Sequence, residues 1–210
     1  MIDVYFYLQE NEAENVLSCG LKLSEWFDKE VIIQGESRRC ISALLNPKDD
    51  SEKYKSEKLR CLRLELAPEY CYIADGYLYR VAENSPEVMD LYLRTITPAK
   101  EYVFGTYRFP ECLVTSTIIS EQIRLMDKRR DSPILYENSE DLYISNIIES
   151  YKEEHDDFND ILMYYFYSKL AEIGKVDKIV DSKNNLALFL NRDQGSVYSS
   201  KIPDLKKIIG

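Results

Sequence analysis

Apolar positions along this chain change rhythm several times, and each rhythm predicts an element. Alternation with a period of two marks a half-buried strand, whereas spacing of three and four marks a helix face. The cleanest alternation is "LRCLRLEL" (59–66). Leu59, Cys61, Arg63 and Glu65 fall on one face, and Arg60, Leu62, Leu64 and Leu66 on the other, so one face is buried. The opening "IDVYFYL" (2–8) is rich in β-branched and aromatic residues and predicts the first strand. In the following "NEAENVLSCG", Asn11 with Glu14 three residues on reads as a capping box, and Gly20 as the left-handed stop of a short helix.

"VIIQG" predicts an edge strand, and "RRCISALLNPKDD" a β-like segment entering a polar turn at Asn46, Pro47 and Lys48. "YCYIADGYLY" predicts a strand with a kink or turn at Asp75 and Gly76. Ser85 before Pro86 and Glu87 starts a helix reaching about Arg94, because proline loses nothing in a first turn. "EYVF" and "ECLVTSTII" predict further strands, and Ser120 caps a helix in "EQIRLM". Beyond "DKRRDSP" the texture turns helical: "SEDLYISNIIESYKEE" and "FNDILMYYFYSKLAEIG" space Leu, Ile, Tyr and Phe at helical intervals. Tyr164, Tyr165 and Tyr167 read as helix packing, "DKRR" (127–130) as a helix C-terminal cap or a small anion patch, and "LALFL" as a strand. The expected organisation is an α+β domain over residues 1–130, with a helical extension over 131–210 packed on it.

Composition narrows the partners. With 45% hydrophobic residues in 210, the chain can bury a core of ordinary domain size. Its 27 basic and 37 acidic side chains leave a net charge of −10, a field that repels phosphate backbones. From residue 131 onward the chain carries 15 acidic and 9 basic side chains. No apolar run nears the roughly 20 residues that span a bilayer. Five cysteines (Cys19, Cys40, Cys61, Cys71, Cys112), odd in number and without C-x-x-C spacing, together with an N-terminus lacking a charged-then-apolar leader, point to a reducing cytoplasm.

Several chemistries lack parts. There is no G-x-G-x-x-G and no G-x-x-x-x-G-K-[ST], and seven glycines make a Gly-rich phosphate loop a poor fit. The single histidine, His155, lies in the charged stretch "KEEHDD" and reads as a solvated residue; multi-histidine metal sites and Ser-His-Asp catalysis are therefore not expected. "EEHDD" has no calcium-loop pattern, so no metal is expected.

Three segments, in order, resemble DarT-type ADP-ribosyltransferases. "YFYLQENEAENVLSCGL" (5–21) is similar to the family's opening strand–helix unit, and "ISALLNPKDD" (41–50) to its apolar stretch ending in an Asn-Pro-Arg turn. "YRFPECLVTSTIISEQI" (107–123) resembles the late strand that bears the family's catalytic glutamate. The resemblance covers about residues 1–130. It implies a twisted mixed sheet of ADP-ribosyltransferase type, NAD as substrate, and transfer of ADP-ribose to a macromolecule: a nucleic-acid base, reached as a single strand, or a protein.

Carried over by residue, the resemblance makes Glu111 the catalytic acid and sets Tyr5, Phe6 and Tyr7 at the wall of a nicotinamide pocket. Arg38 or Arg39 takes the arginine role near the phosphates or the acceptor. Lys48 stands where the family's turn has arginine, keeping the charge without the planar fork. Phe6 stands where the family commonly has histidine, and Leu8 where a small hydroxyl residue is usual. These two departures favour a rival expectation, a binding or regulatory protein that keeps the fold without catalysis; a third is a partner in an assembly joined through the tyrosine-rich helices. As a residue at a strand mouth, Glu111 replaced by glutamine is expected to change stability by under about 1 kcal/mol.

Overall fold

The computed structural model describes residues 1–82, 85–126 and 137–204. The protein is α+β: among the described residues it has seven α-helices, one large antiparallel sheet and one three-stranded antiparallel sheet. In chain order the first unit contains β1 (Ile2–Gln9), α1 (Glu10–Cys19), α2 (Leu23–Trp26), β2 (Lys29–Ile33), β3 (Glu36–Leu44), α3 (Ser51–Lys55), β4 (Leu59–Leu66) and β5 (Cys71–Asp75). There follow α4 (Gly76–Ala82), α5 (Pro86–Thr95), β6 (Thr97–Pro98), β7 (Pro110–Val114) and β8 (Ile123–Leu125). The chain divides into units at 1–146 and 147–210, so α6 (Ser139–Glu154) crosses the division, rather than the division falling at the expected residue 130. The second unit holds the rest of α6, α7 (Phe158–Glu172), β9 (Asp177–Asp181), β10 (Leu186–Asn191) and β11 (Ser196–Lys201). It is therefore helix plus sheet, not a helical extension alone.

The large sheet runs β6-β5-β7-β3-β1-β4-β8, with β2 paired to β3 beside this path. Every pairing is antiparallel, in place of the expected mixed sheet. The alternation in β4 works as its pattern predicts: Leu62, Leu64 and Leu66 are buried against Val4, Leu8, Ile41 and Val114, while Arg63 faces outward beside Asp3. The Ala13–Val16–Leu17 stripe of α1 packs on the same core. Its first turn begins earlier than the sequence suggests. The Gln9 N–H donates to the Glu12 carboxylate at 3.3 Å, so Gln9, not Asn11, is the capping residue.

β3 is a forked strand. Its first half, 36–40, pairs with β2 through a two-residue turn, Gln34–Gly35, with positive φ at both positions, and its second half pairs with β7. β7 is buried on both sides, which explains its continuous apolar run. Cys112 and Val114 enter the main core, while Leu113 faces a second core made with Val31, Cys40, Tyr72 and Tyr92. Over that second face lies α5, whose Met89, Tyr92, Leu93 and Ile96 recur at helical spacing.

Three expected elements differ. After Asp75 the chain turns into a helix, because the Asp75 carboxylate accepts the Tyr77 N–H at 3.0 Å and caps α4. "EYVF" is turn and loop: β6 ends at Pro98, and after Ala99 the chain turns, the Glu101 N–H donating to the Pro98 carbonyl. "EQIRLM" is a single 3₁₀ turn, Ser120–Gln122, leading into β8, which pairs with β4 at Leu64, Arg63 and Leu62; the available strand edge wins over a weak capping signal. The "DKRR" stretch lies outside the described residues.

In the second unit α7 lays Tyr164, Tyr167, Leu170 and Ala171 on Ala187, Phe189 and Tyr198. Tyr165 is instead exposed. His155 is half-buried and stacks on Tyr151. Among the described residues no helix is long and apolar enough to cross a membrane.

Candidate functional site

β7 emerges from the sheet between β3 and β5, with Glu111 opposite Leu44 on one side and Ala74 on the other. By strand parity Glu111 shares the face of Leu113, the face covered by α4 and α5. Its side chain is consequently only 12% exposed and must find partners. Oε2 accepts from the Lys29 ammonium at 2.5 Å, and Oε1 accepts from the Tyr92 hydroxyl at 2.8 Å. Lys29, at the first position of β2 and opposite Cys40, is itself 10% exposed and lies over the Tyr79 ring at 3.7 Å. Burial, then the neighbouring Glu111 charge, push the Tyr92 hydroxyl well above the ordinary phenol range, so it stays a proton donor to the carboxylate.

This constellation borders a cavity of about 530 Å³, a size typical of small-molecule sites. β1 contributes Tyr5, Phe6 and Tyr7; β3 contributes Ser42; α4 contributes Gly76, Tyr79 and Arg80. Gly76 is closely approached: a Cβ there would meet the Phe109 carbonyl oxygen at 3.2 Å, a tight contact, and the Glu111 carboxyl carbon at 3.4 Å. Tyr7 donates to the Pro47 carbonyl at 2.9 Å, which ties β1 to the Asn46–Pro47 turn, and burial raises its hydroxyl far above the ordinary range. Phe6 meets Trp26 edge-to-face at 6.0 Å. Ser42 lines this wall, and its Oγ is buried without a hydrogen-bond partner among the described residues, an arrangement costing about 1–3 kcal/mol.

The structure thus brings Glu111 together with Tyr5, Phe6 and Tyr7. It does not bring in the other three expected residues. Arg38 pairs with Glu36 at 2.9 Å, and Arg39 pairs with Glu30 at 3.5 Å while lying over Phe27, both on the β2–β3 hairpin and outside the cavity lining. Lys48 faces a separate cavity of about 240 Å³ and Glu137 at 3.5 Å. Leu8 is in the main core, 4% exposed.

The cations on the main cavity are Lys29, held by Glu111; Lys53, paired with Asp50 at 3.3 Å; and Arg80, which is exposed and makes no ion pair among the described residues. Asp49 borders both cavities and accepts from the backbone N–H and hydroxyl of Ser139 at 2.6 and 2.8 Å; burial raises its carboxyl, against the pull of those hydrogen bonds. Lys29, Ser42, Tyr79, Arg80 and Tyr92 were not singled out by sequence. One signal for them existed: an apolar run through both faces of β7 means that a carboxylate on either face lies under another element. Among the described residues no group of three or more His, Cys, Asp and Glu side chains could hold a metal ion.

Compared with protein-family models, with curated proteins and with solved structures, the chain matches none.

Proposed function

We propose that this protein breaks the nicotinamide–ribose bond of NAD and transfers ADP-ribose to a macromolecular acceptor, in a sheet of ADP-ribosyltransferase type. The observation that carries this reading is a partly buried carboxylate, Glu111, bordering a ligand-sized cavity with the aromatic strand Tyr5–Tyr7. In the reaction the C1′–N bond breaks and its electron pair goes to the pyridinium nitrogen, which leaves as neutral nicotinamide. The ribose is left as an oxocarbenium-like cation. A carboxylate hydrogen-bonded to the ribose hydroxyls stabilises that developing charge, as in glycoside cleavage. The acceptor nucleophile then bonds to C1′, and its proton passes to Glu111 or to Asp28, a second carboxylate lining the cavity.

Within this reading, Arg80, which borders the cavity as Arg38 and Arg39 do not, is the guanidinium to meet phosphate oxygens. Full-length protein incubated with NAD and a mixed pool of single-stranded oligonucleotides and cell proteins is expected to release nicotinamide, and Glu111→Gln to abolish that release. Equal release by the folded variant would remove Glu111 from the mechanism.

A second reading is favoured by Phe6 and Leu8. Phe6 packs on Trp26 and Leu8 is buried in the core, so neither supplies a hydrogen bond to a nucleotide. A protein that kept the fold and lost the reaction would show neither nicotinamide release nor an NAD-dependent rise in melting temperature.

A further inference from the structure

Lys29 and Tyr92 engage the two oxygens of Glu111 separately, from two different elements, β2 and α5. A carboxylate has about four lone-pair sites, so with one used on each oxygen two remain free. A glutamate has three rotatable side-chain bonds, and a single partner would leave it able to swing about that contact. Two partners on different elements fix the plane of the carboxylate as well as its position.

The ammonium is enclosed in turn. Besides Glu111 it has the Tyr79 ring at 3.7 Å and the Tyr92 ring at 5.9 Å, and it is 10% exposed. A cation held by a carboxylate and an aromatic face, largely out of water, does not swing away from its partner easily. Tyr79 and Tyr92 also touch each other edge-to-face at 5.0 Å, so α4 and α5 brace the pair together. Nothing else in the second core requires charge: its other members are Val31, Ile33, Cys40, Tyr72, Ala74 and Leu113. Apolar residues of the same volume would fill such a place at no cost to stability, so the polar set has a use besides packing.

We infer that Lys29 and Tyr92 are positioning residues that hold the Glu111 carboxylate in the plane and direction in which its remaining lone pairs meet the ribose hydroxyls. This rests on the reading of the site as an NAD-cleaving one. Lys29 borders the cavity with its ammonium turned to Glu111, so its removal is expected to change the chemical step more than ligand binding.

The test is steady-state nicotinamide release by the full chain, with each rate corrected for the folded fraction measured by circular dichroism. Lys29→Met is expected to lower kcat by about a hundredfold, the usual consequence of a misplacement of about 1 Å, with KM for NAD within about threefold. Lys29→Arg restores a hydrogen-bonded cation and is expected to recover most of the loss. Tyr92→Phe frees one oxygen and is expected to lower kcat by about tenfold at unchanged KM. If Lys29→Met does not fold, the arginine and phenylalanine variants are read by the same split between kcat and KM.

Unchanged or increased kcat per folded molecule in the variants, or a loss confined to KM, overturns the positioning role while leaving the NAD-cleaving reading intact. Wild-type protein that releases no nicotinamide overturns both.

Discussion

Glu111 is half of a nearly buried ion pair, and that changes what its replacement does. The expectation of a cost under about 1 kcal/mol belongs to a solvated strand end. With Lys29 and Tyr92 both bonded to the carboxylate, Glu111→Gln leaves an ammonium short of its counter-charge, and a loss of about 1–3 kcal/mol is expected in urea denaturation. The carboxylate itself was legible, because Pro110 and Glu111 stand at the mouth of an evident strand. Its partners were not, being 82 and 19 residues away in sequence, with no local pattern linking them. Among the cysteines, Cys19 is exposed and Cys40, Cys61, Cys71 and Cys112 are buried, with burial pushing the Cys40 thiol up to about 11. A thiol-reactive probe at neutral pH is expected to add once to the native protein and five times after denaturation; two or more rapid native adducts would mean that these buried thiols open to solvent.

At the scale of elements, local chemistry decided starts and stops, and available neighbours decided the rest. Gly20 ends α1 where expected, but not in the left-handed helical conformation: its φ of +81° and ψ of −175° fall in a region used essentially by glycine alone. A Cβ there would lie 2.3 Å from the Ile118 carbonyl oxygen, at the bridge where Leu21 and Ile118 exchange two backbone hydrogen bonds. Gly20→Ala is expected to cost at least about 1–3 kcal/mol of backbone strain, read as a lowered urea midpoint. The start of α6 shows a different dependence. Its first residue, Ser139, is held by Asp49, whose raised carboxyl means that the folded state binds a proton more tightly than the unfolded one. Stability from that proton is complete below the ordinary carboxylate value and is lost as pH rises through the raised one. Wild type should therefore lose stability relative to Asp49→Asn as pH rises above about 4, and parallel pH profiles would remove Asp49 as the cause. Conversely, "EQIRLM" shows why boundaries misled: Ser120 opens a single 3₁₀ turn without capping it, and β4 offered a strand edge.

For the whole molecule, charge constrains which macromolecules it attracts. A net charge of −10 makes weak, sequence-independent attraction to duplex DNA unfavourable, so none is expected by fluorescence anisotropy at 0.15 M salt. Binding that weakens steeply with salt would instead reveal a concentrated basic surface. The amino-acid order by itself determined the quantities that depend on neighbours a few residues apart: the α+β class, most strands and helices, and the glutamate at the entrance to β7. Those follow from periodicity, turn residues and strand parity. Only the tertiary structure decided which strand lies beside which, that β3 forks, that Lys29 and Tyr92 meet Glu111, and that Arg38 and Arg39 are spent on acids of their own hairpin while Arg80 borders the cavity. Such contacts join residues far apart in the chain, and pairing energies between distant segments leave no periodic trace in either segment alone.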